Sequence, residues 1–345
     1  MLISSILIVG FGSIGKRHLR IARELFPVAD IRVLRHQEIG SIPEYADGCF
    51  TAIEQAVSFS PQIAVIANPA PFHIPVAQQL AEVGVHLLIE KPLSSSVDGV
   101  TQLIDTSFKQ RTVLMTGYNL RFLPSLQRFR NYILENTIGK VLSVRCEIGQ
   151  YLPSWRPDTD YRQSVSARRE LGGGTLLELS HEIDYLRWIF GEIDWVQATL
   201  SRQSSLQIDV EDTVHIILGF TPTNDGFELI GSANFDFIRH DTIRLCTVIG
   251  EKGSLRWNGL SGIIEHFMPG ASDWYELFRY QHQRDDSYIE EWQHFLTCIN
   301  KCQMPMITGD DGLVVLNIID AVRQSSVSKK RTSVGRMNTI EQRIS

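Results

Sequence analysis

The sequence predicts an α/β fold joined to an α+β part. A doubly wound parallel sheet comes first, then a domain built on a large, mostly antiparallel sheet. Three observations carry this. A glycine-rich turn, "GFGSIG", joins a strand-like run to a helix-like one near the start. Apolar runs and helical patterns then alternate to about residue 122. Beyond that point strand-like segments follow one another with turn residues between them. With 345 residues, 43% of them hydrophobic, the chain can bury two cores. The expected domains are residues 1–122 and 123–345.

Residues 3–9, "ISSILIV", form the first strand, and "KRHLRIARELF" has helical spacing at Leu19, Ala22, Leu25 and Phe26. Between them Gly10 permits the tight turn. Gly12 lets backbone approach a pyrophosphate, and Gly15 lets helix pack on strand, the pattern of a Rossmann dinucleotide site. The helix N-terminus offers free N–H groups to phosphate. The second strand, "DIRVLR" at 30–35, ends on Arg35 where NAD sites usually carry Asp or Glu. A guanidinium there suits a 2′-phosphate, so NADP is the first choice of cofactor and NAD the second. A solvated Arg35 with NAD held by backbone is the alternative.

Further β-α units follow: "QIAVIANP" (62–69), a helix "HIPVAQQLAEVG" (73–84), and strands "VHLLIEKP" (85–92) and "TVLMTGYN" (112–119). Ligands of doubly wound sheets sit at the carboxyl ends of the strands. Asn68, Glu90, Lys91 and Asn119 lie at such ends. A lysine partly buried beside a nicotinamide ring should lose pKa and could exchange a proton with a substrate hydroxyl. Alternatively Lys91 pairs with Glu90 at the surface.

The second part opens at about residue 124. Strand-like segments begin at 139, 195, 213, 228, 242 and 253, and helices are expected over 175–190, 284–302 and 310–327, with fraying after Lys330. The stretch "GGGTLLELSHEID" (172–184) places Glu178, His181 and Asp184 at every third position of an apolar helix. A histidine is a natural acid/base for a hydroxyl, and a carboxylate beside it would orient the ring. The glycines would let the loop pass close to ligand. A helix N-terminus with acids for its dipole and a core histidine is the bland alternative. The preceding segment carries Trp155, Arg156, Tyr161, Arg162, Arg168 and Arg169. Aromatic faces stack on sugar rings and arginines pair with carboxylate or phosphate, hinting at an anionic or nucleotide sugar.

Taken in order, "GFGSIGKRH", "NPAPFHIPVAQQLAEVGVHLLIEKPLS", "GYNLRFLP", "GGGTLLELSHEID", "EDTVHIILGF" and "VIGEKGSLRW" resemble the Gfo/Idh/MocA oxidoreductases, the family of glucose–fructose, inositol and related sugar dehydrogenases. The resemblance spans nearly the whole chain. It implies an NAD(P)-dependent transfer of hydride between nicotinamide and a hydroxyl or keto carbon of a sugar, cyclitol or sugar derivative. Lys91 and His181 would be the acid/base groups, with Glu178 in support. The family places Asp four residues before the histidine; here Glu178 precedes it by three, which leaves the role of Glu178 open. The cofactor site is expected to use Gly10, Gly12, Ser13, Ile14, Gly15, Arg35, Asn68, His73, Glu90, Lys91 and Asn119. Asp184, Arg121, Trp155, Tyr161 and Arg168 are expected to meet substrate. The peptide into Pro92 is a candidate for cis, since a tight turn would aim the lysine. Apolar residues on the second face of the large sheet imply a homodimer or homotetramer. A non-catalytic dinucleotide sensor on the same fold is the alternative, and a redox-assisted elimination with retained cofactor a third possibility.

Composition excludes other classes. The net charge of −6 argues against nucleic acid as partner. No apolar run reaches the roughly 20 residues of a membrane span, and the N-terminus has no basic region or cleavage site of a signal peptide. Five scattered cysteines suit a reduced, cytoplasmic protein without structural metal; His215 and His240 are isolated.

Overall fold

The computed structural model describes residues 3–36 and 41–335. The chain forms two compact units. The first runs to Asn119 and includes Ser287–Leu316; the second comprises Leu120–Asp286 and the chain from Asn317 on.

The first unit holds β1 (Ser5–Val9), α1 (Ser13–Leu25), β2 (Asp30–Leu34), β3 (Gly48–Phe50), α2 (Ile53–Phe59), β4 (Ile63–Ile66), α3 (His73–Glu82), β5 (His86–Glu90), α4 (Val100–Lys109) and β6 (Leu114–Gly117). Its six strands are all parallel, in the order β3-β2-β1-β4-β5-β6. Strand direction of growth reverses between β1 and β4, which opens a crevice at their carboxyl ends. Burial on both faces explains the continuous apolar runs: Ile6, Leu7, Ile8, Ile63, Val65, Leu87 and Leu88 are fully buried. β3, α2 and α4 were not anticipated from sequence.

The sequence placed 287–316 in the second domain by contiguity; packing puts it in the first unit. The main-chain N–H of Thr116 in β6 donates to the Ile307 carbonyl at 3.1 Å, and the Thr116 hydroxyl to Thr308. Trp292 and Phe295 are fully buried there.

The second unit contains α5 (Pro124–Leu134), β7 (Val141–Gly149), α6 (Thr175–Glu178), α7 (His181–Phe190), β8 (Ile193–Ser201), β9 (Thr213–Phe220), β10 (Ile230–Asp236), β11 (Ile243–Gly250), β12 (Gly253–Asn258), β13 (Ile263–Phe267) and β14 (Tyr275–Arg279). α8 (Asp286–Lys301) and α9 (Gly309–Ser328) follow, and β15 (Thr332–Ser333) closes the described chain. Nine strands lie in the order β14-β13-β12-β11-β7-β10-β9-β8-β15, antiparallel except for β7 beside β10. One face is apolar and covered by helices: Trp257 stacks on Phe129 of α5 and meets Tyr185 of α7 edge-on. On the other face Ile217 and Ile230 are nearly half exposed among polar neighbours such as the hydrogen-bonded His215 and Asn234.

Two expectations are corrected. The helix expected over 175–190 is two helices. Leu179 (φ −102°, ψ 24°) ends α6, and the i→i−3 bonds from Ser180 to Leu177 and from Glu182 to Leu179 replace the regular ladder. The chain also does not fray directly after Lys330. Thr332 pairs with Val196 and Ser333 with Trp195, and the Arg331 guanidinium lies 3.6 Å over the Trp195 ring. Arg336 and the rest of the expected frayed end lie outside the described residues. Among the described residues no helix is long and apolar enough to cross a membrane.

Trp257 is fully buried and its indole N–H donates to the Ser125 hydroxyl at 3.1 Å. Trp257→Ala should therefore cost about 3–5 kcal/mol of stability, read by denaturant unfolding. A loss below about 1 kcal/mol would show that this contact does not anchor the second core.

Candidate functional site

In the first unit β1 runs into Gly10, whose amide donates to the Leu34 carbonyl at 2.9 Å. Gly10 has φ +91°, and a Cβ there would stand 2.6 Å from the Asn68 nitrogen. A Cβ on Gly15 would stand 2.2 Å from the Gly10 carbonyl oxygen. These two glycines are required by the protein's own packing. Gly12 differs: a Cβ there meets nothing within 4 Å, and its φ of −74° suits any residue. The open space stands before the first turn of α1, which has no side-chain cap and no acidic residue. Ser13 and Ile14 open that turn with their amides at the positive helix end. Free N–H groups and the positive helix end make this a cradle of the right sign for a pyrophosphate.

Arg35 follows β2. Its guanidinium lies 5.7 Å over the ring of Phe11, within the glycine turn, and donates to the Ser41 carbonyl at 3.1 Å. The contact with Phe11 seats a cation at the turn's rim.

At the carboxyl ends of β4 and β5 the sequence-predicted residues bind one another. His73, the first residue of α3, is buried. Its Nε2 faces the Asn68 carbonyl at 2.7 Å and its Nδ1 the Pro92 carbonyl at 3.1 Å. Burial lowers its pKa, main-chain acceptors opposing. The ring thus ties the Asn68 loop to the turn after β5 instead of presenting itself to a ligand. The Lys91–Pro92 peptide is cis, as the sequence suggested. Glu90 is buried; one oxygen binds His18 Nε2 at 2.7 Å and the other accepts the Lys91 amide at 3.2 Å. Lys91 itself is half-buried. Asn119 is buried and donates to the Ser287 hydroxyl at 2.8 Å.

In the second unit the three polar residues after the glycines part company. Glu178 ends α6 and is half-buried; His181 begins α7 with 9% of its surface exposed. Asp184 is buried and grips Arg121 through two bonds, 2.9 Å from Nε and 2.6 Å from Nη2. Both residues were expected to meet substrate; here they bind each other, and the bridge fixes the first turn of α7. The glycines serve their own loop: a Cβ on Gly173 would stand 2.3 Å from the Val165 carbonyl oxygen, and one on Gly174 2.5 Å from Glu211 Oε1.

Trp155 meets Phe237 edge-on, and the Tyr161 hydroxyl accepts from the Gln207 amide at 3.2 Å. Arg162, Arg168 and Arg202 line a cavity of about 520 Å³ together with Ser204, Ser205 and Asp209. Arg168 is exposed, with its Nε donating to the Arg162 carbonyl.

Several polar residues escaped sequence reasoning. His18, Trp292 and Glu291 form a buried group with Glu90. Glu182 is fully buried against Arg244 at 2.8 Å, and Glu211 accepts the Leu176 amide at 3.0 Å. Their partners are remote in sequence. The one local signal was "GKRH", which sets His18 one turn into α1.

Two family models match the chain in order. One, described as an oxidoreductase family with NAD-binding Rossmann fold, covers residues 4–118; the other, its C-terminal alpha/beta domain, covers 130–334. Myo-inositol 2-dehydrogenase of Thermotoga maritima is 23% identical over 355 residues, spanning 94% of this chain and 96% of its own. Levoglucosan dehydrogenase, solved in complex with NADH, matches at TM-score 0.82 and 21% identity over 97% of this chain and all of its own. The WlbA dehydrogenase from Bordetella pertussis, solved with NADH and UDP-GlcNAcA, matches at 0.78 and 19% over 97% of this chain and 100% of its own.

The glycine geometry separates folding from binding. Gly12→Ala should leave the unfolding midpoint within about 2 °C and weaken dinucleotide binding at least ~10-fold, since only the cradle is filled. Gly10→Ala should instead destabilise the fold, because φ and space both forbid the methyl. Fluorescence titration and thermal melts on both variants decide; unaltered binding in a folded Gly12→Ala protein would remove the cradle.

Proposed function

The chain belongs to the Gfo/Idh/MocA oxidoreductase family, and from that premise we infer that it is an NAD(P)-dependent dehydrogenase or reductase of a sugar, cyclitol or sugar derivative. It is an oxidoreductase with an NAD-binding Rossmann domain. The observation that carries the finer reading is the pairing, along one edge of a parallel sheet, of an acid-free helix N-terminus behind Gly12 and a lysine at the carboxyl end of β5. The relatives named for inositol and levoglucosan support a polyhydroxylated substrate.

Bound nicotinamide would supply hydride acceptance or donation at its C4. The chain's own residues would supply the rest. Lys91 and His181 move the proton of the reacting hydroxyl, which must leave or arrive as the hydride is transferred. Glu178 is the carboxylate we assign to orient His181, because Asp184 is committed to Arg121. The three arginines around the 520 Å³ cavity support an anionic group on the substrate, a carboxylate or a nucleotide's phosphate. Arg35 beside Phe11 supports preference for a 2′-phosphate, hence NADP over NAD. The outer face of the nine-stranded sheet, with Ile217 and Ile230 exposed, supports assembly into a homodimer or homotetramer. Five free cysteines fit a reducing, cytoplasmic setting.

Lys91→Ala and His181→Ala should each cut turnover ~10²-fold or more while cofactor affinity changes little, as expected of acid/base groups. Steady-state kinetics over a panel of sugar acids and cyclitols, with fluorescence titration of cofactor, checks this. Bound cofactor without turnover in the wild type would favour a dinucleotide sensor.

Arg35→Ala should weaken NADPH binding by ~10-fold or more and leave NADH within about 2-fold, the loss of one charge-assisted pair. Equal NADH and NADPH affinities in the wild type would make Arg35 a bystander and NAD the cofactor.

A further inference from the structure

The proposed reaction leaves one buried cluster of the first unit without a role. Glu291 of α8 is fully buried, and neither of its carboxylate oxygens has a hydrogen-bond partner. Ligand-bearing atoms of Glu291, His18 and Glu90 all lie within 4.8 Å of one another. Two carboxylates and an imidazole so arranged would suit either a divalent cation or a shared proton.

The indole of Trp292 decides between them. Its Nε1–H can only donate, and it donates to His18 Nδ1 at 3.0 Å. Nδ1 therefore presents its lone pair. The neutral ring carries its proton on Nε2, and that N–H donates to Glu90 at 2.7 Å. A metal would need the Nε2 lone pair. Freeing it would move the proton to Nδ1, against the indole N–H. The imidazole is thus committed to two hydrogen bonds and is no ligand.

Glu90 has the bonding of an anion: it accepts from His18 through one oxygen and from the Lys91 amide through the other. Glu291 accepts nothing. Two carboxylates so close in a buried site do not both ionise. Burial first, and the charge of Glu90 second, push the Glu291 carboxyl well above the usual carboxylate range. Among the described residues, His73 on α3 and Tyr288 on α8 are charged or titratable groups near the pair, with Arg17 of α1 against Tyr288 and Lys91 next to Glu90 in the chain. Arg17 lies over the Tyr288 ring at 4.7 Å.

We propose that Glu291 keeps its proton at neutral pH, so that Glu90 is the single negative charge of the cluster, and that Glu90, held by His18, is the positioning residue for Lys91. The second half rests on Lys91 being the proton-transfer group proposed above. His18 sits one turn into the helix that carries the phosphate cradle. The carboxylate therefore joins that helix to the main chain of the lysine by two hydrogen bonds.

The sign of the pH dependence follows from the neutral acid. Below the ordinary glutamate pKa of about 4.3 both folded and unfolded chains hold the proton, and Glu291 costs nothing. As pH rises, the unfolded chain ionises while the folded one does not, so folded stability falls. Thermal melts of the full-length protein should give Glu291→Gln and wild type near-equal midpoints at pH 4, and the variant several degrees higher at pH 8. A variant less stable than wild type at pH 8, or equal at every pH, would overturn the neutral acid. So would a saturable rise of the wild-type midpoint with MnCl2 that Glu291→Gln abolishes.

For the positioning role, Glu90→Gln should lower kcat at least ~10-fold with KM and cofactor affinity within about 3-fold, and Glu90→Asp should recover part of kcat. Lys91→Ala is measured beside them. If Lys91→Ala retains turnover, the reading of Lys91 fails while the melts on Glu291 stand. If Lys91→Ala is inactive and Glu90→Gln is not impaired, the positioning role alone fails.

Discussion

The height at which α1 sits against the parallel sheet is the constraint on which the first unit's chemistry depends. Gly15 has no side chain to hold the helix off, and a Cβ there would collide with the Gly10 carbonyl at 2.2 Å. Seated this low, the helix brings its free N–H groups to the open space before Gly12 and brings His18, one turn on, to Glu90. Glu90 holds the Lys91 amide. The phosphate cradle and the lysine main chain are therefore set by one packing contact and two hydrogen bonds. Moving α1 outward would lengthen the His18 bond as well as spoil the cradle.

A comparable economy appears in the second unit around α7. Its first turn carries Glu182 and Asp184, both buried, paired with Arg244 from β11 and Arg121 from the turn before α5. Tyr185 meets the Cys146 thiol at 3.0 Å in the same turn. Buried ion pairs add little net stability over apolar packing, but breaking one leaves a costly lone charge. Their effect here is to fix direction: α7 has one way to lie in which both arginines are satisfied. His181, at the head of that turn, inherits the fixed position. Acidic residues near a helix N-terminus are also favoured by the dipole.

What could be read from sequence was what neighbours along the chain decide. The strand–glycine–helix unit, the parallel alternation, the long antiparallel sheet and the cis turn at Lys91–Pro92 each come from a short window, and each appears in the structure. What failed involved partners far apart. The partner of Asp184, Arg121, lies 63 residues away, beyond what spacing within the helix can show. Segment 287–316 looked like part of the second domain because its partners, such as Thr116, lie far earlier. The break at Leu179 is not visible in the sequence because Leu and Ser carry no helix-stopping signal such as Gly or Pro. At Gly173 and Gly174 the space a Cβ would need is filled by the loop's own carbonyls and by Glu211, neighbours that the glycine run alone does not reveal.

These misplacements bear on how the site should be understood. Spacing finds the polar residues of a functional helix but cannot say which of them the fold itself already pairs. Asp184 is bonded to Arg121, His73 to the Asn68 and Pro92 carbonyls, and Asn119 to Ser287, so these side chains hold the frame together. Fold alone does not choose a substrate. Under the proposed function the choice would pass to Arg35 on the rim of the glycine turn and to the arginines of the 155–210 loops. Arginines outnumber acids there, with Asp209 also in the cavity lining and Asp160 paired with Arg162, whereas the chain as a whole is acidic by six charges. A locally positive lining on an acidic protein favours anionic ligands at close range without attracting polyanions to the surface at large. Under the proposed function, that combination would favour a sugar carrying an anionic group and a phosphate-bearing cofactor.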